Sequence, residues 1–177
     1  MNGRTKQMTY TALATALICV LGPFTIQIPI SPVPISLTIF AIYIAVYALG
    51  MKRGVVATAL YILLGLIGVP VFSGFTGGAG KLLGPTGGYI IGYLFTAAIS
   101  GWFIDRFEEK KLLYIPGMVL GTLVCYLFGT AWLAKTAGMG FLAALYAGVI
   151  PFIPADAVKI LCAYLTGPRL RNALRRL

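Results

Sequence analysis

Asp156 and Lys159 are the residues of this sequence with the strongest claim to chemistry. They stand in PFIPADAVK (151–159), within a stretch from 136 to 168 that otherwise carries no charge. Burying either charge at membrane depth costs roughly 2.5–3.5 kcal/mol even on lenient scales. At positions i and i+3 of a helix the two share a face and partly neutralise each other. As a purely structural ion pair they would stabilise little once desolvation is counted. The pairing therefore points to binding, with an acceptor carboxylate and a donor ammonium side by side near a mouth of a helix bundle. Pro151 and Pro154 free backbone carbonyls nearby, and backbone that irregular lines a cavity instead of facing lipid.

A second set of candidates lies in the glycine-rich segment VFSGFTGGAGKLLGPTGG (71–88). Its glycines, Gly77 among them, let a short loop fold back over a ligand. Ser73, Thr76 and Thr86 offer hydroxyls, Phe72, Phe75 and Tyr89 offer apolar contact, and Lys81 is the one basic residue there. GFTGGAGK imitates a phosphate-binding loop but fails its pattern. Phe75 occupies the position of the required first glycine, and Leu82 that of the Ser or Thr after the lysine. Gln27 is placed to donate and accept hydrogen bonds between the first helix and a proline-rich loop. Trp132 and Tyr126 fit either an interfacial aromatic belt or a pocket wall.

Enzyme chemistry finds little here. The chain has no histidine and four acids, and Cys19, Cys125 and Cys162 each lie in an apolar run without a C-x-x-C. The expectation is no catalytic residue, no metal and no cofactor.

These groups need elements to position them, and the composition says where those elements sit. Of 177 residues 59% are apolar and 10% charged, against about 25% charged in a soluble domain. A bilayer can cover that surface; a soluble fold of this length cannot. The net charge of +10 gathers in short clusters between apolar runs, the pattern of cytoplasmic loops on a membrane protein and not of a nucleic-acid face. Arg4, Lys6 and the apolar stretch after them resemble a signal peptide, but no small-residue cleavage site follows, so the segment reads as a retained first helix.

Charge, glycine and proline punctuate the helices. Helix 1 is expected over roughly 8–26, helix 2 over 34–49, helix 3 over 54–69, helix 4 over 87–104, helix 5 over 113–134 and helix 6 over 155–166, with a short segment at 141–150. Gly167-Pro168 is expected to end or kink the last of them. The fold class is therefore an all-α integral membrane protein, a six-transmembrane-helix bundle with an outward-facing ligand pocket, in a single domain covering 1–177. With six spans both termini share one side, which collects Arg4, Lys6, Lys52, Arg53, Arg106, Lys110, Lys111, Arg169, Arg171, Arg175 and Arg176, while Lys81 and Lys135 fall on the other. That bias makes the termini cytoplasmic and turns the proline loop, the glycine loop and 135–150 outward. Ala12-x-x-x-Ala16, Gly88-x-x-x-Gly92 and Gly117-x-x-x-Gly121 have the spacing that lets helices approach closely, within the bundle or against another membrane protein.

Three stretches carry a specific likeness: IPISPVPISLT (28–38), GLIGVPVFSGFTGGAGKLLGPTGGYIIGY (65–93) and GVIPFIPADAVK (148–159). With the six-span layout they resemble the BioY family, the biotin-binding membrane subunits (S-components) of energy-coupling factor (ECF) transporters, over nearly the whole chain. The resemblance implies a six-helix bundle in the cell membrane of a prokaryote, an outward pocket for biotin, and ligand contacts at Asp156 and Lys159. Ala155 stands where the family often has glycine. The resemblance also implies partners: a transmembrane coupling subunit that meets an A-x-x-x-A element, matched here by Ala12 and Ala16, and two ATPase subunits that alone use ATP. Biotin's ureido group offers two N–H donors and a carbonyl, and its acyl chain ends in carboxylate. Asp156 suits the N–H donors, and Lys159 or Lys81 suits an acceptor. An S-component for thiamin or riboflavin is the alternative; an intramembrane enzyme lacks the residues, and a channel leaves the outer loops unexplained.

Overall fold

The computed structural model describes residues 3–29 and 31–175; Ile30 of the proline stretch and Arg176 of the basic tail lie outside the described residues. The first helix, α1 (Gly3–Leu21), starts and stops earlier than the apolar pattern predicts. Its end is set by Gly22-Pro23. A β-carbon at Gly22 would lie 2.8 Å from the Val71 carbonyl oxygen, and a residue before proline is pushed out of helical backbone. The proline stretch that follows is a small hairpin. Thr25–Ile26 (β1) pairs antiparallel with Ile35–Ser36 (β2), Thr25 opposite Ser36.

The next helical segment, α2 (Thr38–Leu66), is two helices joined across a kink. Gly50 sits at φ 78°, ψ 177°, a conformation open to glycine alone among common residues. A β-carbon on Gly54 would come within 3.1 Å of the Val46 α-carbon, whereas residues eight apart on a straight helix are about 12 Å apart. The chain folds back at Gly50, so 38–49 and 51–66 are the antiparallel arms that the sequence predicts as separate helices.

The glycine loop carries a single short helix, α3 (Ala79–Leu83), that the apolar pattern does not reveal. Then come α4 (Gly87–Arg106), a 3-10 turn at Lys111–Leu113, α5 (Tyr114–Ala137), α6 (Phe141–Gly148), a second 3-10 turn at Ile150–Phe152, and α7 (Ile153–Arg175). The segments 38–66, 87–106, 111–137 and 141–174 are long and apolar enough to cross a membrane among the described residues.

Glycine spacing explains the closest seam. On α4 and α5, a β-carbon at Gly88 would lie 2.2 Å from the Trp132 Cβ, and one at Gly121 3.2 Å from the Thr96 Cα. Both glycine pairs of the sequence therefore serve packing inside the bundle. Ala12 and Ala16 do not; both are exposed on α1.

One expectation is corrected. Gly167-Pro168 does not end the last helix, which runs through Pro168 to Arg175. Proline removes one helical bond, but Gly167 packs under the Tyr47 ring, 2.2 Å from a would-be β-carbon. One turn on, Arg171 Nη2 bonds Asp105 Oδ1 at 2.8 Å and Glu108 Oε1 at 2.7 Å. These contacts fix the tail beyond the break. Asp105 also accepts the Met51 N–H at 2.7 Å, beside the Gly50 fold-back. The bundle thus has a basic end, where the charges tie helices together, and a loop end, where the proline and glycine segments gather.

Candidate functional site

The site is assembled at the loop end. Residue 156 lies in the first turn of α7, just after the 3-10 turn that Pro151 and Pro154 impose. From there Asp156 and Lys159 point inward: they are 4% and 8% exposed. Lys159 Nζ donates to Asp156 Oδ1 at 2.6 Å. The other carboxylate oxygen, Oδ2, accepts the hydroxyl of Tyr126 from α5. Each carboxylate oxygen has a second lone pair and the ammonium has further N–H donors, so the pair can still bind a molecule offering both donors and acceptors.

Two narrow chambers lie beneath the loops, the first of them at this pair. The first, about 30 Å³, is lined by the pair, Tyr126, Tyr89, Tyr93, Phe152 and Gly148, and roofed by Val33, Pro34 and Ser36 of the proline hairpin. The second, about 20 Å³, shares Tyr89, Tyr93 and that roof and continues to Ser73, Thr86, Thr38 and Tyr61. Drug-sized ligands occupy roughly 300–1,000 Å³. The chambers are therefore closed in this conformation, and a ligand must move the roof or a wall.

Two contacts join the proline and glycine segments. Gly74 N–H donates to the Pro23 carbonyl at 3.0 Å, and Phe24 meets Phe75 edge-on at 5.6 Å between ring centroids. Phe75 itself adopts φ 56°, uncommon for a residue with a side chain. The proline and glycine loops are thus one joined cover.

The sequence candidates divide. Asp156, Lys159, Tyr89 and Ser73 come together around the chambers. Tyr89 is held by its hydroxyl, which donates to the Gly148 carbonyl at 2.9 Å. Trp132 does not line a chamber; its Nε1–H donates to Gly84 O at 2.9 Å and anchors the end of the glycine loop. Gly77 is a packing position, where a β-carbon would lie 2.5 Å from Val69 O. Gln27 and Phe75 are exposed, and Lys81 is half-buried on α3 outside the chamber walls. Partial burial pulls the Lys81 ammonium below the ordinary lysine range.

Several lining residues are missing from the sequence candidates. Tyr93 and Tyr61 read as core aromatics on apolar helices. Val33, Pro34 and Ser36 carry no chemical signal beyond a stiff loop. The β-pairing of 25–26 with 35–36 places them over the site, and strands of two residues leave no detectable period.

Comparison with known proteins settles the lineage. The model of the BioY family matches residues 1–176. The chain belongs to the BioY family. This BioY-family chain is 39% identical to a probable biotin transporter BioY of Pyrococcus horikoshii, over 96% of its own length and 98% of the relative's. It is 36% identical to the biotin transporter BioY of Thermotoga maritima, over 94% and 96%. Its fold superposes on the crystal structure of an S-component for biotin from an ECF-type ABC transporter with a TM-score of 0.89 at 33% identity, covering 97% of this chain and 93% of that one. The resemblance read from the three sequence stretches is thereby established as membership, in a multi-pass membrane fold.

Proposed function

We propose that this chain is the biotin-capturing membrane subunit of an ECF-type ABC transporter. One observation carries the reading: a buried aspartate–lysine pair faces a chamber beneath the joined proline and glycine loops, in a chain that follows a biotin S-component over nearly its whole length. Biotin's ureido group matches the pair. Asp156 accepts from a ureido N–H, and Lys159 donates to the ureido carbonyl. Tyr89 and Ser73 complete the wall, Trp132, Gly77 and Phe75 frame the glycine loop, and Lys81 and Gln27 lie nearer the entrance for the acyl carboxylate.

The wider frame is six spans, counting α1, both arms of α2, α4, α5 and α7. Support comes from the fold-back at Gly50 and from the basic residues gathered at one end. On that count both termini are cytoplasmic and the pocket opens outward. The exposed Ala12 and Ala16 dock on a transmembrane coupling subunit, and two ATPase subunits supply the energy. The chain itself is no enzyme and takes no cofactor. Biotin enters from outside by lifting the joined loops, which then close over it.

Equilibrium binding of biotin to the purified protein in detergent tests this, with Asp156→Asn and Lys159→Met alongside. Saturable binding by wild type, lost in both variants, is the expected result. No saturable binding by wild type removes the function, and unchanged binding by both variants removes the site.

A further inference from the structure

An open apolar groove lies on the far side of the Asp156–Tyr126 bond. It has about 440 Å³, runs between α5 and α7, and is walled by apolar side chains, of which Val119, Leu123, Ile153 and Leu161 are exposed on the outer face of the bundle. Of all its lining residues, only Tyr126 and Asp156 also line the chamber that holds Lys159. These two are the partition. The chamber side offers about 30 Å³, while a phenol ring has ample room on the other. Aspartate sits on the first turn of α7, fixed by Lys159; the movable half of the partition is the tyrosine, buried and tied at its hydroxyl to Asp156.

We propose that Tyr126 is a displaceable partition that sets the volume of the binding chamber. Its hydroxyl occupies Asp156 Oδ2. A ligand N–H takes over that oxygen, and the phenol ring swings outward into the open groove between α5 and α7, which enlarges the chamber. Tyr126 is therefore a positioning residue that acts through Asp156. The sign of its contribution follows. Its hydroxyl stabilises the empty state, so deleting the hydroxyl leaves Asp156 short of a donor until ligand arrives. Filling the groove behind the ring blocks the swing. The choice of biotin as ligand rests on the function proposed above; the swing of the ring does not.

The test combines kinetics with a ligand-free probe. Tyr126→Phe is expected to bind biotin about tenfold tighter, through faster association, because the empty state loses a hydrogen bond. Ala157→Phe, which adds a ring to the groove between α5 and α7, is expected to slow association about tenfold and to leave dissociation within about threefold, since it obstructs the opening step alone. Leu123→Trp serves the same purpose where Ala157→Phe does not fold. In protein carrying 3-fluorotyrosine at 126, the fluorine resonance is expected to exchange between two positions without ligand, and Ala157→Phe is expected to suppress the exchange. Binding weakened tenfold or more in Tyr126→Phe, or unchanged association in the filled variants, overturns the proposal. A single unexchanging fluorine resonance overturns it whether or not biotin binds. Absence of biotin binding by wild type overturns the biotin reading instead, and the fluorine signal then decides the partition by itself.

Discussion

The molecule holds two small charge clusters at opposite ends, and they use similar groups to opposite effect. At the basic end Arg171, its side chain 13% exposed, bridges Asp105 and Glu108, whose side chains are 39% and 45% exposed. Water screens the two carboxylates, so the cluster is cheaper to form than a wholly buried pair and contributes modestly. At the loop end Asp156 and Lys159 are almost wholly buried beneath the proline hairpin. There desolvation works against the pair, and it is stable only while both partners are in place. The exposed cluster ties helix ends together; the buried one holds unsatisfied bonding capacity facing a closed chamber. Burial, more than residue type, separates structural charge from a site.

The comparison can be broken first at the buried pair. Asp156→Asn leaves Lys159 unpaired and is expected to weaken biotin binding by about 100-fold or more, measured by titration in detergent. The same change is expected to destabilise the fold by about 3–5 kcal/mol, seen as a lower thermal midpoint. The double variant Asp156→Asn/Lys159→Met sharpens the point. Removing both charges is expected to restore most of the lost stability and none of the binding. A double variant that stays as unstable as the single one would mean the pair is chiefly structural.

Next in size is the α4–α5 seam that supports the site from behind. Gly88→Leu puts a side chain where even a β-carbon meets the Trp132 Cβ, and overpacking of this kind costs about 1–3 kcal/mol or more. Because Tyr89 is the neighbouring residue, a drop in thermal midpoint is expected together with weaker binding. At the basic end, Arg171→Met is expected to cost no more than about 1 kcal/mol and to leave biotin affinity unchanged; a large loss of binding would join the two ends functionally. The smallest effect belongs to Lys81→Gln. Its ammonium lies outside the chamber walls and meets only the solvated acyl carboxylate at the entrance, so affinity is expected to fall by no more than about threefold in the same titration.

What could be read before any coordinates follows from how unusual each residue is in its setting. Asp156 and Lys159 were legible because a bilayer excludes charge, so two charges in one apolar run demand a reason. The arms of α2 were legible from the Lys52-Arg53 pair that interrupts the apolar run. Tyr126 was visible but ambiguous, since an aromatic near a helix end serves a membrane belt or a pocket equally well; its bond to Asp156 depends on how α5 meets α7, which no local pattern encodes. The end of the last helix at residue 166 was misplaced for the same reason, while a kink at Gly167-Pro168 was the other outcome expected there. The proline argues locally for a break, and the packing of Gly167 against Tyr47 and the grip of Asp105 and Glu108 on Arg171 decide otherwise. Gln27 and Lys81 were chosen by chemistry and proximity in the chain, and the fold leaves them outside the chambers.

The most direct test of the central claim is a parallel titration of one wild-type preparation with biotin, thiamin and riboflavin, repeated with Asp156→Asn. Saturable binding of biotin alone, lost in the variant, is the predicted result. Saturable binding of either other vitamin, or biotin binding that survives the loss of the Asp156 charge, would contradict it.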